Sequence, residues 1–314
     1  MKTRQSLVKI KAQVKRIRWF RDFYRFIIKI YQIKIEKPRN YKFIKNYEYL
    51  LEKYKSISLT DNNKNDEYPI WVCWWQGKEG MSDTVNICYH SILKNAGRHK
   101  VNLITIENYK NYLEFPDHIM KKIEEGKISL ALLSDALRLL LLEKYGGLWL
   151  DATIFVSFPI DCLNLSTSFW SPKWKNDKKY YNKELKLSMS IMYSPPNGSI
   201  FLSYLKDCLF ECLKTHDKLF AYLWYEYFTE IGYENIPAIR KELDDEISFS
   251  KYGPYYFYDY CWNEYDEKLW KELSNNYPFH RISHKEIYPK FKKGKLTYYG
   301  YLYQEWEREQ KVFN

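Results

Sequence analysis

Four kinds of group that an apolar run does not normally carry stand together in SDALRLLLLEKYGGLWLDAT, residues 134–153: Asp135, Arg138, the Gly146-Gly147 pair and Asp151. An ionised carboxylate accepts two hydroxyls and a guanidinium donates through a rigid fork, so this set suits a ligand rich in hydroxyls or phosphates. Asp135 and Arg138 are three apart and share one helix face. They can also simply neutralise each other, with Asp151 capping a local turn and the glycines only turning the chain. That account covers any one of these residues. It covers their joint occurrence less well, because unpaired charge beside a core is costly and is kept mostly where it has a use.

These groups need elements to position them. From Leu130 the apolar residues are too many for a one-sided helix, so 130–144 is predicted as a helix buried over most of its surface. Gly146-Gly147 ends it as a left-handed C-cap, and Leu148, Trp149 and Leu150 form a buried strand ending at Asp151. Upstream, 70–75 reads as a buried first strand stopped by Gln76-Gly77, 84–93 as a helix and 101–106 as a second strand. The order predicts a doubly wound α/β sheet, in which ligands lie beyond the carboxyl ends of the strands, where Asp151 stands.

Charge divides the chain. Residues 1–60 carry 17 Lys and Arg against 4 Asp and Glu, while the remainder is nearly balanced at 33 against 35. In that basic segment Leu7, Ile10, Val14, Ile17, Phe20 and Tyr24 recur at three and four residues among Lys and Arg, with Trp19, Phe23 and Phe26 widening the apolar face. This predicts a basic amphipathic helix lying on an anionic membrane surface. A helix packed on the protein's own core with a solvated basic face is the alternative. The polar run 61–67 then marks a boundary before the first strand. No stretch approaches the ~18 apolar residues of a bilayer span, and no signal peptide is legible, so a cytoplasmic protein is expected. Six scattered cysteines without a CxxC pattern read as reduced thiols, Cys208 and Cys212 as core.

The motifs resemble a family. Ser134-Asp135-x-x-Arg138, the leucine-rich helix, Tyr145-Gly146-Gly147, an apolar strand and Asp151 look like the core of nucleotide-sugar-dependent glycosyltransferases of the GT-A fold, in the sugar-binding-region group that includes family 32. More narrowly, Trp149-Leu150-Asp151-Ala152-Thr153 with Trp71-Val72-Cys73-Trp74-Trp75-Gln76-Gly77 is similar to bacterial capsular polysaccharide synthesis glycosyltransferases. The match is best over 68–160. Beyond it, 187–193 with Pro196-Asn197-Gly198 resembles the family's acceptor-side strand and turn, and 278–285 its closing segment.

The resemblance implies a GT-A-like, Rossmann-like mixed sheet flanked by helices over 68–314, behind a basic amphipathic extension over 1–60. Residues 68–160 would be the donor-nucleotide half, and 161–314 the acceptor half with a C-terminal flap. It implies that Asp135 and Arg138 hold the donor sugar, with Ser134, Gly146 and Gly147 beside it, and that these two and Asp151 are the catalytic set. Trp71, Trp74, Gln76, Asp151, Ala152, Thr153, His280, Ser283, His284 and Lys285 would line the nucleotide and diphosphate, with Trp71 and Trp74 equally explicable as core. In the family's DXD motif two carboxylates meet a divalent metal. Here Asp151-Ala152-Thr153 keeps one, so Mn²⁺ or Mg²⁺ is expected on Asp151 alone, weakly held.

The implied reaction is transfer of a sugar from a nucleotide-diphosphate sugar, a UDP-sugar first, to a hydroxyl of a lipid-linked polysaccharide repeat unit at the inner membrane face, with retention. Nucleic acid is not an expected partner. A basic aromatic nucleic-acid-binding protein and a catalytically inactive scaffold remain the alternatives. The Tyr-rich stretch 252–270 is a further acceptor-groove candidate, although most of the 31 tyrosines must be packing.

Overall fold

Four consecutive apolar residues, Ile-Trp-Val-Cys, open the central sheet because both of its faces are covered. The computed structural model describes residues 37–58, 67–163, 165, 167–172, 187–244 and 256–313. In chain order these form helices α1 (Lys37–Ile44) and α2 (Tyr49–Lys55), strand β1 (Ile70–Cys73), α3 (Asp83–Asn95), β2 (Val101–Ile104), α4 (Asp117–Glu124) and α5 (Leu130–Tyr145). Strands β3 (Gly147–Leu150), β4 (Ile154–Val156) and β5 (Ile191–Ser194) precede α6 (Ile200–Thr215), α7 (Trp224–Asn235) and α8 (Pro237–Asp244). The C-terminal part holds α9 (Glu267–Asn276), β6 (Phe279–Arg281), a hairpin of β7 (Phe291–Lys292) and β8 (Lys295–Leu296), and α10 (Tyr298–Phe313).

The sheet has the order β2-β1-β3-β5. β1 runs parallel to β2 and to β3, while β5 is antiparallel to β3, with Leu150 opposite Ile191. This is a mixed, mainly parallel α/β sheet flanked by helices. β4 leaves it and pairs antiparallel with β6, Ile154 opposite Arg281. α3 covers the other edge of β4: the Ser91 Oγ accepts the Val156 N–H at 2.9 Å and the Asn95 Nδ2 donates to the Val156 carbonyl at 3.0 Å.

The turn from α5 into β3 needs its glycines. Gly146 has φ 64° and Gly147 φ 103°, and a Cβ on Gly147 would lie 2.2 Å from the Pro69 carbonyl oxygen. A left-handed backbone and a close crossing of β1's approach are both met only by glycine. Ser129 caps the other end of α5, its side chain accepting the Leu132 N–H at 3.2 Å.

One stretch departs from expectation. Residues 37–55, expected to belong to an N-terminal extension, are instead part of the main core: Ile44, Tyr47, Leu50, Leu51 and Tyr54 are buried with α5, α6 and α7. Their apolar positions found a helical surface to cover, and the Tyr54 hydroxyl donates to Asp207 on α6 at 2.7 Å. The rest of the expected amphipathic helix, residues 1–36, lies outside the described residues, as does 59–66. The stretch 256–270 supplies Phe257, Cys261 and Trp270 to a third core cluster with α10, so its aromatic density is largely packing. Among the described residues no helix is long and apolar enough to cross a membrane.

Candidate functional site

β1 and β3 end side by side, and the chain beyond those ends builds one polar cluster. At the end of β1, Trp75 is buried and its Nε1 donates to the Leu130 carbonyl at 3.0 Å and the Ser134 Oγ at 2.8 Å. This ties the first turns of α5 to the sheet edge and brings Asp135 and Arg138, one turn on, over the end of β3. Arg138 Nη1 donates to Asp135 Oδ1 at 2.9 Å and its Nη2 to Asp151 Oδ1 at 2.8 Å. One guanidinium thus bridges both carboxylates. Its side chain is only 7% exposed, and it lies over the Trp149 ring at 5.1 Å.

Two indoles and a second arginine complete the cluster. Trp149 Nε1 donates to Asp151 Oδ1 at 2.9 Å, as two residues of spacing on a strand permits. Trp224, fully buried at the start of α7, donates through Nε1 to Asp135 Oδ2 at 3.2 Å. Arg281 at the end of β6 donates to Asp151 Oδ2 at 3.0 Å. The electrostatics of the two acids differ. Burial raises the Asp135 carboxyl, and Arg138 and Trp224 counter this only in part, so it titrates above the usual carboxylate range. Burial acts on Asp151 as well, but Arg138 and Arg281 together outweigh it and hold that carboxyl below the usual range.

The remaining expected residues are not all brought here. Trp74 is half-buried beyond β1, its ring edge-on to His284 at 5.4 Å. Gln76 and Lys285 are exposed nearby, and the Ser283 N–H is held by the Tyr288 hydroxyl at 3.0 Å. Ser134 serves the Trp75 tie. Ala152 and Thr153 are buried in the turn that leads to β4.

Four residues stand elsewhere. Trp71 is 3% exposed and donates to the Gly146 carbonyl at 2.7 Å, with no face left for a base. Gly146 and Gly147 lie at the opposite end of β3 from Asp151, roughly 10 Å or more away at ~3.3 Å per residue, so their role is the turn and not sugar contact. His280 points from β6 into a pocket of Phe155, Phe257 and Trp270, with Nε2 2.9 Å from the Ser157 Oγ. Burial drives its pKa down to about 3. Sequence reasoning chose His280 and missed its neighbour Arg281, which alternation along β6 sends to the site. Trp224 is 89 residues from Asp135 and had no local signal. Trp149 had one in its i, i+2 spacing to Asp151.

The expected Mn²⁺ or Mg²⁺ finds a poor donor set. Asp151 offers about four acceptor positions; Arg138, Trp149 and Arg281 take three. Among the described residues no group of three or more His, Cys, Asp or Glu is arranged to hold a metal. Among the described residues two acids, Asp135 and Asp151, pair with two arginines, so these ion pairs leave no excess negative charge to draw a divalent cation. The residues present do not fit the ion.

Residues 23–302 match the capsular polysaccharide synthesis protein family. The chain belongs to this family. Its match begins before α1 and runs into α10, so residues 37–55 lie within it, consistent with their place in the core. No curated protein matches. Among solved structures, similar chains include the PaToxG glycosyltransferase, at 15% identity and TM-score 0.42, covering 67% of this chain and 82% of that one. The apo-form glycosyltransferase GlyE of Streptococcus pneumoniae TIGR4 is similar at 10% identity and TM-score 0.39, covering 78% of this chain and 64% of that one.

Proposed function

We propose that this member of the family is a GT-A-type glycosyltransferase, a hexosyltransferase that moves a sugar from a nucleotide-diphosphate donor to a hydroxyl of a capsular repeat unit. The observation that carries this is the joining of Asp135, Arg138 and Asp151 at the carboxyl ends of β1 and β3. That is where α/β sheets hold nucleotides.

The two acids divide the work. Asp135 spends one acceptor position on Arg138 and one on Trp224, and keeps 24% of its side chain open, so it can accept two donor-sugar hydroxyls. Arg138 and Trp224 hold that carboxylate in one orientation, which converts binding into positioning of the ring. Asp151 and its arginines lie on the diphosphate side. In the reaction the anomeric C–O bond to the phosphate breaks, leaving its electron pair on the phosphate oxygen, while the acceptor oxygen forms the new bond. The acceptor proton passes to that phosphate oxygen. A front-face reaction of this kind retains configuration and asks for no protein nucleophile; the protein orients, neutralises and excludes water.

The acceptor in this reading is lipid-linked at the inner face of the membrane. Support comes from the basic excess in residues 1–60 and from the β7–β8 hairpin region. There Ile287 is 92% and Phe291 56% exposed among the exposed Lys290, Lys292 and Lys293.

Thermal unfolding with UDP, GDP and their hexose conjugates tests the donor site. A nucleotide that raises Tm of the wild type is expected to raise it less, relative to each variant's own ligand-free Tm, in Asp135→Asn and Asp151→Asn. Stabilisation by polynucleotide, with none by any nucleotide sugar, sinks the reading.

A further inference from the structure

We propose that the donor diphosphate is held without a divalent metal, its charge met by the Arg138 and Arg281 guanidiniums that flank Asp151; this rests on the donor-site reading. A divalent ion takes oxygen ligands at about 2.0–2.2 Å. Oδ1 of Asp151 already accepts from Arg138 and Trp149, and the one position left, on Oδ2, lies beside the Arg281 guanidinium, whose nitrogen is 3.0 Å from that oxygen. An ion there would share a single carboxylate oxygen with a cation.

Arg138 is held through its side chain and Arg281, whose side chain is 29% exposed, through its backbone. Arg138 is buried, tied to Asp135 on its other nitrogen and seated over Trp149. Arg281 is set by the β4–β6 register, in which it faces Ile154, and the next residue, Ile282, donates its N–H to the Thr153 carbonyl at 3.0 Å. The same pairing fixes the turn that carries Thr153, 6% exposed, where a second carboxylate would be needed. The Ile154 N–H closes that turn on the Asp151 carbonyl at 2.9 Å. A site of net charge near zero with two planar cations suits a ligand that brings the negative charge itself. The departing diphosphate gains charge as the anomeric bond breaks, so a fixed guanidinium beside it stabilises the transition state more than the ground state.

Calorimetric titration of the full chain with UDP and with GDP, in chelator and in Mn²⁺, decides the matter. Affinity for the nucleotide that binds is expected to agree within about twofold between the two conditions. Arg281→Gln is expected to weaken it about tenfold or more, with Arg281→Lys recovering part, as for loss of one charge-assisted contact. A nucleotide that binds the wild type about tenfold or more tighter with Mn²⁺ overturns the metal-free proposal and leaves the donor site standing; this comparison needs no variant. Arg281→Gln binding like the wild type overturns the part given to Arg281. Binding of neither nucleotide in either condition overturns the donor-site reading, and the proposal with it.

Discussion

His280 and Arg281 are neighbours on a three-residue strand with opposite fates, because a strand sends successive side chains to opposite faces. Arg281 reaches Asp151, whereas His280 sits among aromatic rings at 2% exposure with its pKa lowered to about 3. The consequence for stability has a definite sign. The unfolded chain takes up a proton on this histidine near pH 6.5 while the folded one does not, so stability is full above about 6.5 and falls as pH drops toward 3. The slope from this one group is about 1.4 kcal/mol per pH unit at most. Unfolding free energies measured from pH 7 to pH 4 are expected to show it in the wild type and to lose it in His280→Phe. An identical slope in that variant would assign the effect to other groups.

At the scale of elements, the α5–β3 turn is the joint that aims the site, since α5 carries Asp135 and Arg138 and β3 delivers Asp151. Its geometry depends on Gly147, where φ is 103° and an added Cβ would meet the Pro69 oxygen at 2.2 Å. Gly147→Ala must therefore strain its own backbone and push β1's approach away from β3. The expected cost is on the order of 2 kcal/mol or more, read as a fall in the denaturation midpoint without a change in slope. The glycines resemble a ligand-binding motif in the sequence, yet they stand at the far end of β3 from Asp151 and act by placing the elements that carry Asp135, Arg138 and Asp151.

For the whole molecule, the N-terminal part is divided by its packing. Five side chains of residues 37–55, Ile44, Tyr47, Leu50, Leu51 and Tyr54, are buried in the largest core. At about 1.5–3 kcal/mol for each large apolar side chain, their removal rivals the 5–15 kcal/mol by which a domain is stable. A chain lacking residues 1–55 is thus expected to be insoluble or to lose cooperative unfolding. A well-folded product with the wild-type Tm would show that α1 and α2 are dispensable to the core.

What the sequence determined by itself is local: a buried strand from Ile70, read to residue 75 and ending in the structure at Cys73, the apolar helix from Leu130, the glycine turn and the strand ending at Asp151. All follow from hydrophobic periodicity and backbone chemistry within about twenty residues. Asp135, Arg138 and Asp151 were legible for the same reason, as charges embedded in those short patterns. The tertiary structure decided which distant groups close around them. Arg281 and Trp224 come from elements whose arrival depends on strand pairing and helix packing across 130 and 89 residues. It also decided that Trp71, Gly146, Gly147 and His280 face away, since burial and strand register are properties of the assembled sheet and not of any short stretch.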